Sequence, residues 1–287
     1  MKKLKTTKTA IWGLCAFMLT ASLIFYSCSD DDAIDVTSIT LSETSITLQG
    51  GESVTLDVAI KPDDASKAKL VWTSSDESIA TVSSSGEILG VKAGIATITV
   101  TAENGGKTDE CTVKVYDVYV SGYEINLSSS SWVAKLWKNG VAQNLSNGTN
   151  IAYANSVFVS GNDVYVAGTD NGIAKFWKNG VAQNLTNGST TAEAHSVYVS
   201  GNDVYVAGVE GDYGKLWKNE VAQNLTTGST ASEAYSVFVS GGDVFVAGAV
   251  SDGSNLLATL WKNGVAQYLT DRTIASVAQS VFVVRPE

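Results

Sequence analysis

Trp137-Lys138-Asn139-Gly140-Val141-Ala142-Gln143-Asn144-Leu145 decides the fold, because the block returns from Trp177, Trp217 and Trp261 at intervals of 40, 40 and 44 residues. A second block, Ser156-Val157-Phe158-Val159-Ser160-Gly161-Asn162-Asp163-Val164-Tyr165-Val166-Ala167-Gly168, returns from Ser196 and from Ser236. Each period holds four short runs of strand-forming residues: A (Val157 to Val159), B (Val164 to Ala167), C (about Ala174 to Trp177) and D (Val181 to Leu185). Ser160 to Asp163 reads as a tight turn, and Asn179-Gly180 supplies the positive-φ pair of a two-residue hairpin. Asn219-Glu220 departs from that pair, which predicts slight strain in the third copy. Runs A and B are apolar on both faces, whereas a hairpin with one wet face alternates. Each sheet is therefore expected to be sandwiched between neighbours.

A four-stranded period of 40 to 44 residues resembles β-propeller repeats, although neither the WD nor the kelch motif is present. The Trp-Lys-Asn-Gly-Val-Ala-Gln pattern also resembles a repeat of uncharacterised secreted bacterial proteins, a resemblance that implies no function. Asp117 to Gly122 matches Asp163 to Gly168, so the repeats open on a B strand, while Ser280-Val281-Phe282-Val283 is an A strand with no B strand after it. The expectation is an all-β chain in which residues 117–287 form a four-bladed β-propeller closed by the C-terminal strand. The alternative is half of an eight-bladed dimeric ring, so monomer and dimer both stand.

Residues 36–116 read as a small β-sandwich of short strands separated by polar turns near every tenth residue. Val71-Trp72-Thr73-Ser74-Ser75-Asp76, Ile79-Ala80-Thr81-Val82 and Gly94 ahead of Ala96-Thr97-Ile98-Thr99-Val100 occur in that order. They resemble the bacterial Ig-like group 2 family, whose modules serve as spacers or adhesive stalks. Trp72 is expected in the core, and Cys111, alternating with Val113 and Val115, as a small core residue.

Upstream, Lys2 to Lys8 precede an apolar run from about Ala10 to Tyr26, and Ser27-Cys28-Ser29 follows. Residues 1–27 read as a signal peptide, and the run is short for a membrane span, which wants roughly 20 residues. The segment resembles the lipobox of bacterial lipoproteins, with Phe25 and Tyr26 departing from its usual residues; the resemblance implies lipidation of Cys28 and a membrane partner. Asp30, Asp31, Asp32 and Asp35 make residues 28–35 an acidic tether, similar to the surface-export signal of Bacteroidota-type lipoproteins. The expected location is the cell surface, on the outer membrane.

Composition removes several classes of function. The chain has 19 Lys plus Arg against 29 Asp plus Glu. Without the leader and its four lysines, 15 basic groups face 29 acidic ones. Only Arg272 and Arg285 are arginines, which excludes a basic nucleic-acid-binding face. One histidine, His195, excludes a multi-histidine metal site, and neither metal nor cofactor is expected.

Candidate ligand contacts fall where the copies differ. Just before each A strand stand Asn155, His195, Tyr235 and Gln279, with Tyr153, Glu193 and Glu233 two places earlier in the first three. These positions are expected to ring the mouth of a central channel. The B–C intervals are long in the first and last copies, 11 and 9 residues against 5, and carry Tyr123, Trp132 and Asn255. Ring closure is expected to make those two intervals neighbours. Glu193 and Glu233 are paired carboxylates, but like positions in like environments titrate alike, whereas an acid and a base need separated pKa values. No catalytic residue is assigned. The chain reads as a non-catalytic binding or adhesion module, with a polysaccharide or a surface protein as partner. A glycan hydrolase or lyase at the mouth, or a purely structural surface protein, are the alternatives.

Overall fold

The computed structural model describes residues 34–65, 68–128, 130–227, 230–271 and 273–286. The leader, Cys28 and most of the acidic tether lie outside the described residues. All regular secondary structure described is β-strand.

Nine strands build the N-terminal sandwich: β1 Ser38–Leu41, β2 Ser45–Gln49, β3 Ser53–Thr55, β4 Val58–Lys61, β5 Leu70–Ser74, β6 Ala80–Val82, β7 Glu87–Gly90, β8 Gly94–Ala102 and β9 Thr108–Tyr116. They pair as β2-β9-β8-β5, β3-β7-β6 and β1-β4, with β2 parallel to β9. Side chains in a strand alternate between faces, so Ala96, Ile98, Val100 and Ala102 of β8 and Cys111, Val113 and Val115 of β9 all enter one core. Trp72 packs against that core, and a Cβ at Gly86 would lie 2.7 Å from its ring. Burial pushes the Cys111 thiol pKa up, consistent with a packing role rather than a reactive thiolate.

The repeats follow as four antiparallel sheets in series. The first has three strands, β10 Tyr119–Asn126, β11 Ser131–Lys138 and β12 Val141–Asn144. The second is β13 Ala152–Ser160, β14 Asp163–Asp170, β15 Ile173–Lys178 and β16 Val181–Asn184. The third is β17 Ala192–Ser200, β18 Asp203–Glu210, β19 Tyr213–Lys218 and β20 Val221–Asn224. The fourth is β21 Ser232–Ser240, β22 Asp243–Ser251, β23 Leu256–Lys262 and β24 Val265–Tyr268.

The sheets stack through their leading strands. Phe158, Tyr198 and Phe238 of β13, β17 and β21 form a ladder with ring centroids 4.7 and 4.9 Å apart, and Phe282 extends it by another 4.9 Å. Trp177, Trp217 and Trp261 are buried at the junctions, and the indoles of Trp177 and Trp261 donate to the carbonyls of Leu145 and Leu225 in the preceding sheet, at 2.9 and 3.0 Å. These tryptophans are core residues, not ligand platforms.

One polar latch fixes each sheet at its opposite end. Asn139, Asn179, Asn219 and Asn263 accept the backbone N–H of Val118, Val164, Val204 and Val244 through Oδ1. The same four amides donate to Asp117, Asp163, Asp203 and Asp243, whose other oxygens take Lys138, Lys178, Lys218 and Lys262. Asp163, Asp203 and Asp243 therefore join the two turns of their sheets.

Two expectations meet a different arrangement. The long B–C intervals are mostly strand: β10 runs to Asn126 and β11 starts at Ser131, while β22 runs to Ser251 and β23 starts at Leu256. Tyr123, Ile125, Trp132 and Val133 are aromatic or β-branched and prolong the pleat. Among the described residues, 280–283 do not pair with the first sheet: β10 pairs with β11 alone, and residues 275–286 form no regular strand. The segment lies along β21 instead, held by Val281 N–H on Ser236 Oγ and by Arg285 on the Ser240 carbonyl and Asp243.

Candidate functional site

Each leading strand breaks its register once. The pairing slips between Ala154 and Ser156, between Ala194 and Ser196, and between Ala234 and Ser236, so Asn155, His195 and Tyr235 are the bulged residues. A β-bulge leaves one residue unpaired and re-aims its side chain. The glycine opposite makes the bulge possible: a Cβ on Gly168, Gly208 or Gly248 would sit 2.0–2.1 Å from the carbonyl oxygen of Tyr153, Glu193 or Glu233. The Val-Ala-Gly repeat is thus the signal for the bulge, although a single sequence does not reveal what its glycine faces.

The bulges line up a continuous row of side chains across the sheets. Asn155 donates to the Ala194 carbonyl at 2.9 Å, and His195 Nδ1 lies 3.1 Å from the Ala234 carbonyl. His195 Nε2 lies 3.3 Å from Glu193 Oε2, and the imidazole stacks on Tyr235 with centroids 5.4 Å apart. Tyr235 in turn donates to Glu233. The bond to His195 holds the Glu193 carboxyl below its ordinary pKa, against burial, with Tyr153 adding to the same effect. Burial above all, then the hydrogen bond to Glu193, pushes the Tyr153 phenol well above its usual range.

At the first-sheet end the row meets an aromatic ledge. Tyr123 and Trp132 stack with centroids 4.7 Å apart and planes 11° from parallel. Tyr153 closes on both, at 6.4 and 6.3 Å. Tyr123 remains 46% exposed, so the ledge offers a ring to solvent. Below it, Lys135 pairs with Glu124 at 2.5 Å, as Lys175 does with Asp170 and Lys215 with Glu210 at 2.9 and 2.8 Å. Thr259 stands at the lysine position in the fourth sheet.

Tyr123, Trp132, Tyr153, Glu193, His195, Tyr235 and Glu233 therefore come together as one line, with Asn155 beside it. Asn255 does not join them: it sits in the 252–255 turn of the fourth sheet, where its N–H meets Asp252. Gln279 is exposed at the far end of the row. The expected meeting of the Tyr123–Trp132 and Asn255 hairpins is absent within one chain, because they belong to the first and last sheets of an unclosed series.

Residues 35–113 match the bacterial Ig-like domain (group 2), so the sandwich is a domain of that family. Three relatives share it: an α-L-arabinofuranosidase of Bifidobacterium longum, 41% identical over 83 residues, which are 29% of this chain and 8% of that protein; a κ-carrageenase of Pseudoalteromonas carrageenovora, 39% identical over 82 residues, 29% and 21%; and an Ig-like virion protein of Serratia phage KSP90, 37% identical over 83 residues, 29% and 32%. The matched stretch spans at most 32% of these relatives.

Proposed function

We propose that this chain is a lipid-anchored cell-surface protein of the outer membrane that binds extracellular polysaccharide without cleaving it. In this reading Cys28 carries the lipid, the acidic tether and the Ig-like domain lift the repeats off the membrane, and the four sheets act as propeller blades presenting the site.

The carrying observation is the Tyr123–Trp132–Tyr153 ledge alongside the Glu193–His195–Tyr235–Glu233 row. A pyranose has an apolar face that stacks on an aromatic ring and an edge of hydroxyls that needs convergent donors and acceptors. Two of the Ig-like relatives have names that refer to glycan cleavage, which adds support for a carbohydrate setting. Glu193, held low by the bond to His195, is unsuited to be the protonated acid of a hydrolytic carboxyl pair.

The test is a glycan array probed with the full chain, followed by incubation with any glycan retained. Retention of an intact glycan is expected. Turnover of the bound glycan selects the hydrolase or lyase, and silence on every glycan selects the structural role. For the anchor, Cys28→Ser is expected to abolish labelling by a fatty-acid analogue, and persistent label refutes it.

A further inference from the structure

The series of sheets ends in two surfaces that fit one another. Among the described residues the first sheet has no counterpart of the strand that β13, β17 and β21 supply to the other three, leaving β10 as an open edge with Val120, and Val118 just before it, exposed. An unpaired, apolar strand edge is a template for another strand. At the opposite end of the described series, residues 280–284 lie on β21 with Phe282 75% and Val284 82% exposed.

Several contacts that recur between neighbouring sheets have one counterpart that is unmet among the described residues. Val197, Val237 and Val281 N–H donate to Ser156, Ser196 and Ser236 Oγ of the preceding leading strand, and the next member of that series is Val157 facing Ser280. Val159 is 41% exposed where its equivalents Val199 and Val239 are buried. Leu269 is 51% exposed where Leu145, Leu185 and Leu225 are buried, and Trp137 is only half-buried where the other three repeat tryptophans are fully buried.

Gly122 is the most pointed of these. Its counterparts Gly168, Gly208 and Gly248 are each required by a backbone carbonyl pressed against them, but around Gly122 a Cβ would meet only the Trp137 ring, at 3.2 Å. The first sheet is shaped for a bulged strand that no described segment of its own chain supplies.

We infer that the β10 edge receives the C-terminal strand of a second copy of this chain, and that two copies exchange these strands reciprocally to close a ring. The occupant follows from register. Aligning β10 with β14 through their partners in β11 and β15 pairs Val281 with Val120, Phe282 with Tyr119, and Val283 with Val118. It also brings Trp137 to the Leu269 carbonyl and sets the bulge at Gln279 against Gly122. Among the described residues of one chain the two surfaces stand at opposite ends of the series and both are uncovered, whereas a second copy covers both at once. A head-to-tail contact that closes after two copies leaves no free edge.

The exchange completes the ligand site. Gln279 of the second copy becomes the neighbour of Asn155, extending the row of bulged side chains. The 252–255 turn of the second copy comes beside the Tyr123–Trp132 hairpin, so Asn255 reaches the ledge from across the interface. The inference uses only the junctions between sheets and holds whether or not the ligand is a glycan.

Two singly substituted full-length chains with different tags, Val120→Cys and Val281→Cys, test it when co-expressed and oxidised. A covalent pair containing both tags is expected, together with a mass of two chains by analytical ultracentrifugation in detergent. Gly122→Ala supplies the control on folding: it leaves the sheets of each copy intact and is expected to convert two-chain particles to one-chain particles. A one-chain mass for the unsubstituted protein, or an open-ended ladder of polymers, overturns the reciprocal ring. So does a Val120→Cys, Val281→Cys double variant that cross-links only within one chain.

Discussion

His195 and Tyr235 lie ring on ring, 7° from parallel, although they belong to different sheets and stand 40 positions apart in the chain. The spacing is one repeat, and both residues occupy the bulge of a leading strand. Stacked sheets therefore turn a position that varies between copies into a row of adjacent side chains.

The row predicts a pH signature. Glu193 is held below the ordinary carboxyl range, chiefly by the hydrogen bond from His195. A carboxyl depressed in the folded state contributes stability that is fully present above its unfolded pKa and lost as pH falls through the lower folded value. His195→Phe keeps the stack on Tyr235 and removes the hydrogen bond. The Glu193 titration midpoint, read by carboxyl carbon NMR, is expected to rise in the variant. The stability gap between the two proteins is expected to narrow as pH falls from about 6 to about 3. An unmoved midpoint contradicts the pairing.

The bulges predict intolerance at their glycines. Gly168→Ala places a methyl 2.1 Å from the Tyr153 carbonyl oxygen and 2.9 Å from the Ala154 Cα, both backbone atoms with little room to yield. Destabilisation of about 1–3 kcal/mol is expected from forced overpacking. The urea unfolding midpoint checks it, with an Ala substitution at exposed Ser200 as reference.

The third hairpin predicts a gain. Asn219 and Glu220 hold φ of 48° and 69°, where the other copies have Asn-Gly with the glycine at 79–81°. A left-handed residue bearing a side chain costs roughly 1–2 kcal/mol relative to glycine. Glu220→Gly is expected to raise stability by about 1 kcal/mol, measured as a higher melting temperature with the Asn219 latch to Val204 intact.

Much of this was legible in the sequence for a simple reason: the same local rule is written several times. Asn179-Gly180 announced its hairpin, alternation in Ile98, Val100 and Val113 announced a sandwich core, and Asn155, His195 and Tyr235 stood out as differences within a copied unit. The bulge was not legible, because it arises from pairing between strands and not from either strand alone. Tyr123 and Trp132 fall in the long interval between runs B and C of the first copy, and only the pairing of Tyr123 with Ala134 and of Ile125 with Trp132 shows them on one hairpin. Tyr153 links the ledge to the row, a contact between sheets that no local pattern encodes.

Calorimetric titration of the full chain with the oligosaccharide best retained on the array, compared with Trp132→Ala, bears most directly on the binding role. Removing the indole takes away the ring that stacks on Tyr123 while leaving β10 and β11 paired through their backbones. The expected result is affinity weaker by about tenfold or more, equivalent to about 1.4 kcal/mol, with the unfolding midpoint little changed. Equal affinity in the two proteins contradicts the assignment of the ledge as the ligand site.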